Sequence, residues 1–144
     1  MRKLMVLCLA LAACGGPATG PEPIHYDRDT CEQCRMIISD PHFATEVRTP
    51  DGKLHRFDDP GGAVLWMDAH GVDAAAAGVW VMNMRDGKTW LDAHTAWFVP
   101  VQATPMDYGY GAIAQHEDGA LDFAAFRARI LAQKSRGPGM EARP

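Results

Sequence analysis

The first clear pattern of apolar and polar residues in this chain predicts a β-hairpin. Residues 43–48 alternate between apolar and polar side chains, with Phe43, Thr45 and Val47 on one side. The turn sequence Pro-Asp-Gly follows at 50–52, and residues 53–58 are expected to form the second strand. Two such runs around a turn are typical of paired antiparallel strands.

A helix is expected directly after this hairpin. Asp59 is a good capping residue, and Pro60 suits the first helical position. An apolar body follows at 64–67, and Gly71 is a natural stop. Capping by Asp59 also explains the adjacent carboxylates of Asp58 and Asp59 more simply than paired acid–base chemistry does.

The later elements complete an α+β pattern. A buried strand is expected first, then several short strands, and finally a helix that begins after an aspartate cap. This order predicts one small α+β domain. The expected strands lie at 79–84, 89–91, 95–99 and 109–116, and the last helix follows Asp122.

The N-terminus is typical of a lipoprotein signal peptide over residues 1–13. Arg2 and Lys3 precede a short apolar stretch that ends in Leu-Ala-Ala before Cys14. Such a stretch is too short to span a bilayer as a stable helix. We therefore expect cleavage before Cys14 and lipid attachment to its thiol, which would anchor the protein to a membrane outside the cytosol.

Composition divides the rest of the chain into three parts. Residues 14–24 are rich in glycine and proline, and we expect a flexible, lipidated tether there. Residues 25–134 are predicted to form the folded domain, and residues 135–144 a disordered tail. The net charge of −4, with no basic stripe, argues against nucleic acid as a partner.

Residues 31–36, with the sequence Cys-Glu-Gln-Cys-Arg-Met, carry the main chemical signal. Two thiols and one thioether lie within six residues, and such sulfur ligands select soft ions such as Cu(I). A structural zinc site is less favoured, because there is no second cysteine pair and the six histidines form no close pair. With Cys8 cleaved off and Cys14 lipidated, Cys31 and Cys34 would be the remaining thiols.

Two other uses of this cysteine pair stay open. A thiol–disulfide oxidoreductase would use it as a redox dithiol, but a thioredoxin-like motif follows a strand and opens a helix. Here a linker and the charged residues 27–29 precede the motif. An inert disulfide staple is common in small exported domains. Since no nucleophile elbow, phosphate loop or zincin helix occurs, we expect a protein without enzymatic activity.

Methionine offers further candidate sulfur ligands. Met106 follows Pro105 in an expected loop, where an apolar side chain has no periodic reason to lie. Met67, inside the predicted helix, is expected to fill the core. Met82 and Met84 would share one face of a strand, and core packing is the simpler explanation for them.

Several segments, taken in order, resemble the NosL family, the accessory lipoproteins of nitrous oxide reductase. They cover nearly all of the chain after the signal peptide, and their order and spacing are more specific than any single piece. The segments are Cys14, residues 31–36, residues 57–62, Trp66, and residues 90–93, 96–99, 104–106 and 109–112.

The resemblance implies a Cu(I) chaperone that supplies copper to nitrous oxide reductase from the periplasmic face of a bacterial membrane, here the outer membrane. It also implies a fold of two small ββαβ-like units. Carried onto this chain, the sulfur ligands are Cys31, Cys34, Met36 and Met106, and the family's nitrogen donor has no secure counterpart. The family usually has glycine where this chain has Arg35, and glycine permits backbone conformations that arginine avoids.

Overall fold

In the computed structural model, which describes residues 19–136, the predicted hairpin begins a four-stranded antiparallel sheet. Strand β1 (Thr45–Arg48) pairs with β2 (Leu54–Phe57) on one side and with β3 (Gly78–Met82) on the other. Strand β4 (Trp90–Asp92) pairs with β3, which gives the order β2-β1-β3-β4.

Helix α1 (Pro60–Ala69) connects the hairpin to β3 and begins where the sequence predicts. Asp59 caps it, because its Oδ1 accepts the N–H of Gly61 at 2.8 Å. Gly71 follows the helix with a φ of +64°, a left-handed value that suits glycine. Helix α1 packs on β1 and β2, and its Met67 is fully buried in the core, as predicted.

The second half of the chain adds a two-stranded sheet and a second helix. Strand β5 (Trp97–Pro100) pairs antiparallel with β6 (Tyr110–Ile113), and α2 (Phe123–Arg136) follows. Asp122 caps α2 by accepting the N–H of Ala125 at 2.8 Å. The predicted α+β class is confirmed, with β1, β2, α1 and β3 as a ββαβ unit and with β4 to β6 and α2 completing the domain.

Several boundaries differ from those expected, including that of β6, which spans Tyr110–Ile113 rather than 109–116. The first strand begins later, because Pro41–Phe43 forms a 3-10 turn that the Asp40 side chain caps. Strand β3 ends at Met82, which is buried in the core as predicted, while Met84 lies in the following turn. Helix α2 extends to Arg136, two residues into the predicted tail.

The packed part of the chain begins before residue 25. The carbonyl of Gly20 accepts a hydrogen bond from Arg48 at 3.0 Å, and Ile24 belongs to the core. The predicted signal peptide, Cys14 and residues 137–144 lie outside the described residues. Over residues 19–136, no helix has the length and apolar character that crossing a membrane requires.

Candidate metal site

Cys31 and Cys34 lie in a short loop that is closed by its own backbone. The N–H of Cys31 donates to the carbonyl of Met36 at 2.8 Å, and the N–H of Arg35 donates to the carbonyl of Cys31 at 3.0 Å. An isolated antiparallel bridge joins the residues that flank the loop. The loop contains no helix, so it lacks the arrangement of a thioredoxin-like dithiol.

Arg35 occupies a strained position in this loop. Its φ is +66°, in the left-handed region where glycine fits and where other residues lose roughly 1–2 kcal/mol. The loop thus keeps a glycine-like backbone at the point where the sequence departs from the NosL pattern. Arginine in place of glycine adds a side chain and backbone strain at this position. The turn that brings the two cysteines together forms nevertheless.

Asp58 forms a group of three candidate ligands with Cys31 and Cys34. The two Sγ atoms and one carboxylate oxygen all lie within 4.8 Å of one another. The Cys34 thiol donates to Asp58 Oδ2 at 3.3 Å, and the N–H of Cys34 donates to Cys31 Sγ at 3.5 Å. Cys31 and Asp58 are buried, whereas Cys34 is partly exposed.

One oxygen of Asp58 has no hydrogen-bond partner. Oδ1 is buried and unpaired, whereas Oδ2 is paired with the Cys34 thiol. A buried oxygen without a partner loses its interaction with water and gains nothing in return, at a cost of about 1–3 kcal/mol. Such a group calls for an explanation, and a bound cation beside two thiols is one that the chemistry of this group supports.

The end of β2 brings Asp58 to the cysteine loop. The N–H of Glu32 donates to the carbonyl of Arg56 at 2.9 Å, which ties the loop to the strand two residues before Asp58. From the sequence, helix capping by Asp59 is the preferred explanation of this pair, and Asp59 does cap α1, but the sequence indicates no separate role for Asp58. Asp58 is therefore a site residue that the sequence reasoning missed, although it lies within the segment 57–62 that resembles the NosL family.

Burial also controls the protonation of the site. Burial, together with the hydrogen bonds to Cys31 and Asp58, raises the pKa of the Cys34 thiol to about 12. A thiol with such a pKa stays protonated at neutral pH, and it must lose this proton before it can act as a nucleophile or bind a metal. Both cysteines are free thiols in this structure.

Met36 lies at a cleft beside this group. Met36 is 50% exposed as a residue, and the adjacent Ile37 is 49% exposed. The cleft has a volume of about 350 Å³, and its lining includes Met36, Ile37 and Asp58. A solvent-accessible thioether and a buried carboxylate of the three-residue group therefore line one cleft.

Residues that precede Met106 form another part of the cleft wall. Thr104 and Pro105 line the cleft, and Met106 itself is partly buried. The N–H of Met106 donates to Asp59 Oδ2 at 3.2 Å. The structure thus brings the loop of Met106 to the cleft that Met36 lines, and the role of both methionines as ligands stays a prediction.

No histidine joins the three-residue group. Within residues 19–136, Cys31, Cys34 and Asp58 are the one cluster of at least three cysteine, histidine or carboxylate ligands close enough to hold an ion. His55 instead contacts Trp66, with ring centroids 4.2 Å apart and ring planes tilted by 37°. The third candidate ligand of the site is therefore an oxygen.

The fold is similar to that of a solved copper chaperone. The crystal structure of the copper chaperone NosL from Shewanella denitrificans matches with a TM-score of 0.60, over 78% of this chain and 89% of that one. The sequence identity is 20%, so the likeness establishes a NosL-like fold, as predicted. No protein-family model matches this sequence, and a search of curated proteins finds no match.

Proposed function

We propose that this protein is a membrane-anchored, periplasm-facing chaperone for Cu(I). The observation that carries the proposal is the group of two thiols and a carboxylate within 4.8 Å, in a fold shared with a copper chaperone. Two cysteine sulfurs favour a soft ion, whereas structural zinc usually takes four protein ligands. Within the described residues, the group offers three such ligands, one fewer than a structural zinc ion usually takes.

In this proposal copper is the cargo, and Cys31 and Cys34 are its principal ligands. Met36 and Met106 are proposed as further sulfur ligands. Because the thiolate is the form that binds a metal, copper displaces the thiol protons of both Cys31 and Cys34, and these protons pass to solvent. The Cys34 thiol already donates to the Asp58 carboxylate, which also lines the cleft, so this carboxylate can accept the Cys34 proton and release it to solvent. Asp58 then remains as a negative charge beside the bound cation.

Delivery takes place by ligand exchange on the exposed side of the site. Cys31 is buried, whereas Cys34 is partly exposed and Met36 is exposed. A ligand of the receiving protein can therefore approach from the Met36 side. It would bind the ion in a shared intermediate and replace the exposed ligands before the buried thiolate.

The location and the client rest on sequence rather than on geometry. The Leu-Ala-Ala-Cys sequence that ends at Cys14 supports a lipid anchor on the periplasmic face of the outer membrane. The segments that resemble the NosL family support nitrous oxide reductase, or a related copper enzyme, as the protein that receives the copper.

A Cu(I) titration against a Cu(I)-specific competitor tests the proposal with the full chain, reduced and in detergent. We expect about one Cu(I) per chain, or per pair of chains, and a preference over Zn(II). Cys34→Ser should abolish tight binding. Met36→Leu should weaken it while the neighbouring Ile37→Leu leaves it unchanged, because only the first removes a sulfur. Tight zinc binding with negligible Cu(I) affinity would overturn the proposal.

A further inference from the structure

The two carboxylate oxygens of Asp59 hold two different elements. Oδ1 accepts the N–H of Gly61 at 2.8 Å and so caps α1. Oδ2 accepts the hydroxyl of Thr104 and the N–H of Met106, the latter at 3.2 Å. Asp59 is fully buried, so water does not compete for these bonds. One side chain therefore fastens the loop 104–109 to the start of the helix.

Thr104 extends this connection into the loop. Its hydroxyl oxygen accepts the N–H of Gly109 at 3.3 Å, and its carbonyl accepts the N–H of Asp107 at 3.0 Å. Asp107 has a φ of +60° and Gly109 a φ of +77°, so two loop residues lie in the left-handed region. A backbone of this kind persists only where its surroundings determine it. The hydrogen bonds to Asp59 and Thr104 hold the loop in this conformation.

The cysteine loop and the loop 104–109 pack on adjacent glycines at the start of α1 and meet at Gly62. A Cβ at Gly61 would lie 2.5 Å from Tyr108 Cβ, so Tyr108 lies directly on bare backbone. A Cβ at Gly62 would lie 3.7 Å from Cβ of Gln33, which belongs to the cysteine loop. The first turn of α1 is thus a common platform, and Asp59 holds one of the two loops to it.

We propose that Asp59 is a positioning residue that sets where Met106 lies relative to the cysteine thiols. The inference rests on the proposed function, since an effect on copper presupposes that copper binds. The two adjacent carboxylates then have complementary tasks. Asp58 accepts the Cys34 thiol, and Asp59 holds the loop that carries the proposed thioether ligand.

Two variants remove the connection in different ways. Asp59→Asn keeps an oxygen for Gly61 and remains a good helix cap, but its amide group cannot accept the N–H of Met106. Thr104→Val removes the hydroxyl, whereas the control Thr104→Ser retains it. In the full chain, reduced and in detergent, we expect the first two variants to lower Cu(I) affinity by about 10- to 100-fold and the control to bind like the wild type.

A double-variant cycle separates positioning from a general loss of stability. If Asp59 acts through Met106, then Met106→Ile should lower Cu(I) affinity in the wild type but change it little in Asp59→Asn. A merely structural role would instead make the two losses add. Amide exchange of residues 104–109 in the metal-free protein should also be faster in Asp59→Asn and Thr104→Val than in Thr104→Ser.

Unchanged Cu(I) affinity in Asp59→Asn and Thr104→Val would overturn the positioning role, as would full additivity with Met106→Ile. Either result leaves the proposed function intact, because the wild type still binds Cu(I). A wild-type protein that binds no Cu(I) would overturn the proposed function itself, and that outcome is seen before any variant is measured.

Discussion

Asp58 and Asp59 are neighbours in the sequence, yet their carboxylates bind different partners. Asp59 has an extended backbone, with φ −149° and ψ 132°, and successive side chains of an extended chain point to opposite sides. One carboxylate therefore accepts the Cys34 thiol while the other accepts the N–H groups of Gly61 and Met106. The same chemical group serves as a candidate ligand at one position and as a structural joint at the next.

Met67 and Met106 are expected to have different roles, the first in the core and the second as a copper ligand. Met67 is fully buried, so Met67→Ala should lower the free energy of unfolding by about 2–5 kcal/mol without changing Cu(I) affinity. Met106 is partly buried in a loop, so Met106→Ile should weaken Cu(I) binding and change stability little. Urea denaturation and Cu(I) competition measure the two effects. A large loss of stability at Met106 alone would show that the two roles are reversed.

At the scale of elements, the start of α1 joins the parts of the site. Its first residues follow β2 directly, its cap holds the loop 104–109, and its glycines accommodate side chains from two loops. Because Gly61 has no side chain, there is room for Tyr108 against the helix, and Gly62 likewise leaves room for Gln33. The absence of a Cβ at Gly61 is therefore a requirement of tertiary packing.

The adjacent glycines give a matched test of this packing. Gly61→Ala should lower the free energy of unfolding by about 1–3 kcal/mol, because the new Cβ would overlap Tyr108 at 2.5 Å. Gly62→Ala should be neutral or stabilising by up to about 1 kcal/mol, since its nearest neighbour lies 3.7 Å away. Thermal or urea unfolding distinguishes the two variants. Equal effects would mean that Tyr108 does not pack closely on Gly61.

Strand β1 carries a buried acid whose titration should affect stability. Glu46 is fully buried, accepts a hydrogen bond from Arg56 at 3.0 Å, and accepts the N–H of Glu22 at 2.8 Å. Burial raises the pKa of Glu46 above its ordinary value of 4.5, and these hydrogen bonds only partly offset that rise. The folded protein therefore retains this proton at pH values where the unfolded chain has lost it.

Glu46→Gln should reveal this contribution. The stability due to the raised pKa is fully present below pH 4.5 and is lost as the pH rises through the folded-state pKa. Because glutamine does not titrate, the free energy of unfolding of the variant minus that of the wild type should increase as the pH rises above 4.5. Urea denaturation over a pH series measures this difference. A difference that falls with rising pH would contradict the assignment.

At the scale of the whole molecule, the proposed anchor and the packed domain lie close together along the chain. Arg48 binds the carbonyl of Gly20 at 3.0 Å and the carboxylate of Glu22 at 2.9 Å, so the packed part begins near residue 20. The six peptide units from Cys14 to Gly20 can span at most about 21 Å. If Cys14 carries lipid, the domain is therefore held close to the membrane surface.

Cys14→Ser tests the anchor. Without the thiol, lipid cannot be attached, so we expect an unprocessed or soluble form in place of a protein that fractionates with membranes. Cell fractionation combined with mass spectrometry of the intact protein measures both location and lipid. A variant that remains in the membrane fraction through acyl chains would show that Cys14 is not the lipidation site.

Signals between near neighbours in the sequence were sufficient to predict much of the fold. The Pro-Asp-Gly turn, the cap at Asp59 and the cap at Asp122 all lie where expected, because turn and cap chemistry acts over a few residues. The prediction that Cys31 and Cys34 lie close together rests on an equally short spacing in the sequence. Strand ends were predicted less well, since Pro41–Phe43 prefers a 3-10 turn that Asp40 caps.

Only the tertiary structure decided what faces the two cysteines. The thiol of Cys34 meets Asp58 across 24 residues of sequence, and the N–H of Met106 meets Asp59 across 47. Such contacts depend on how β2, α1 and the loop 104–109 pack together. A short-range sequence pattern does not indicate this packing. For this reason the sequence indicated a role for Asp59, whose helix cap is a local signal, but none for Asp58, whose carboxylate meets the Cys34 thiol only in the folded chain.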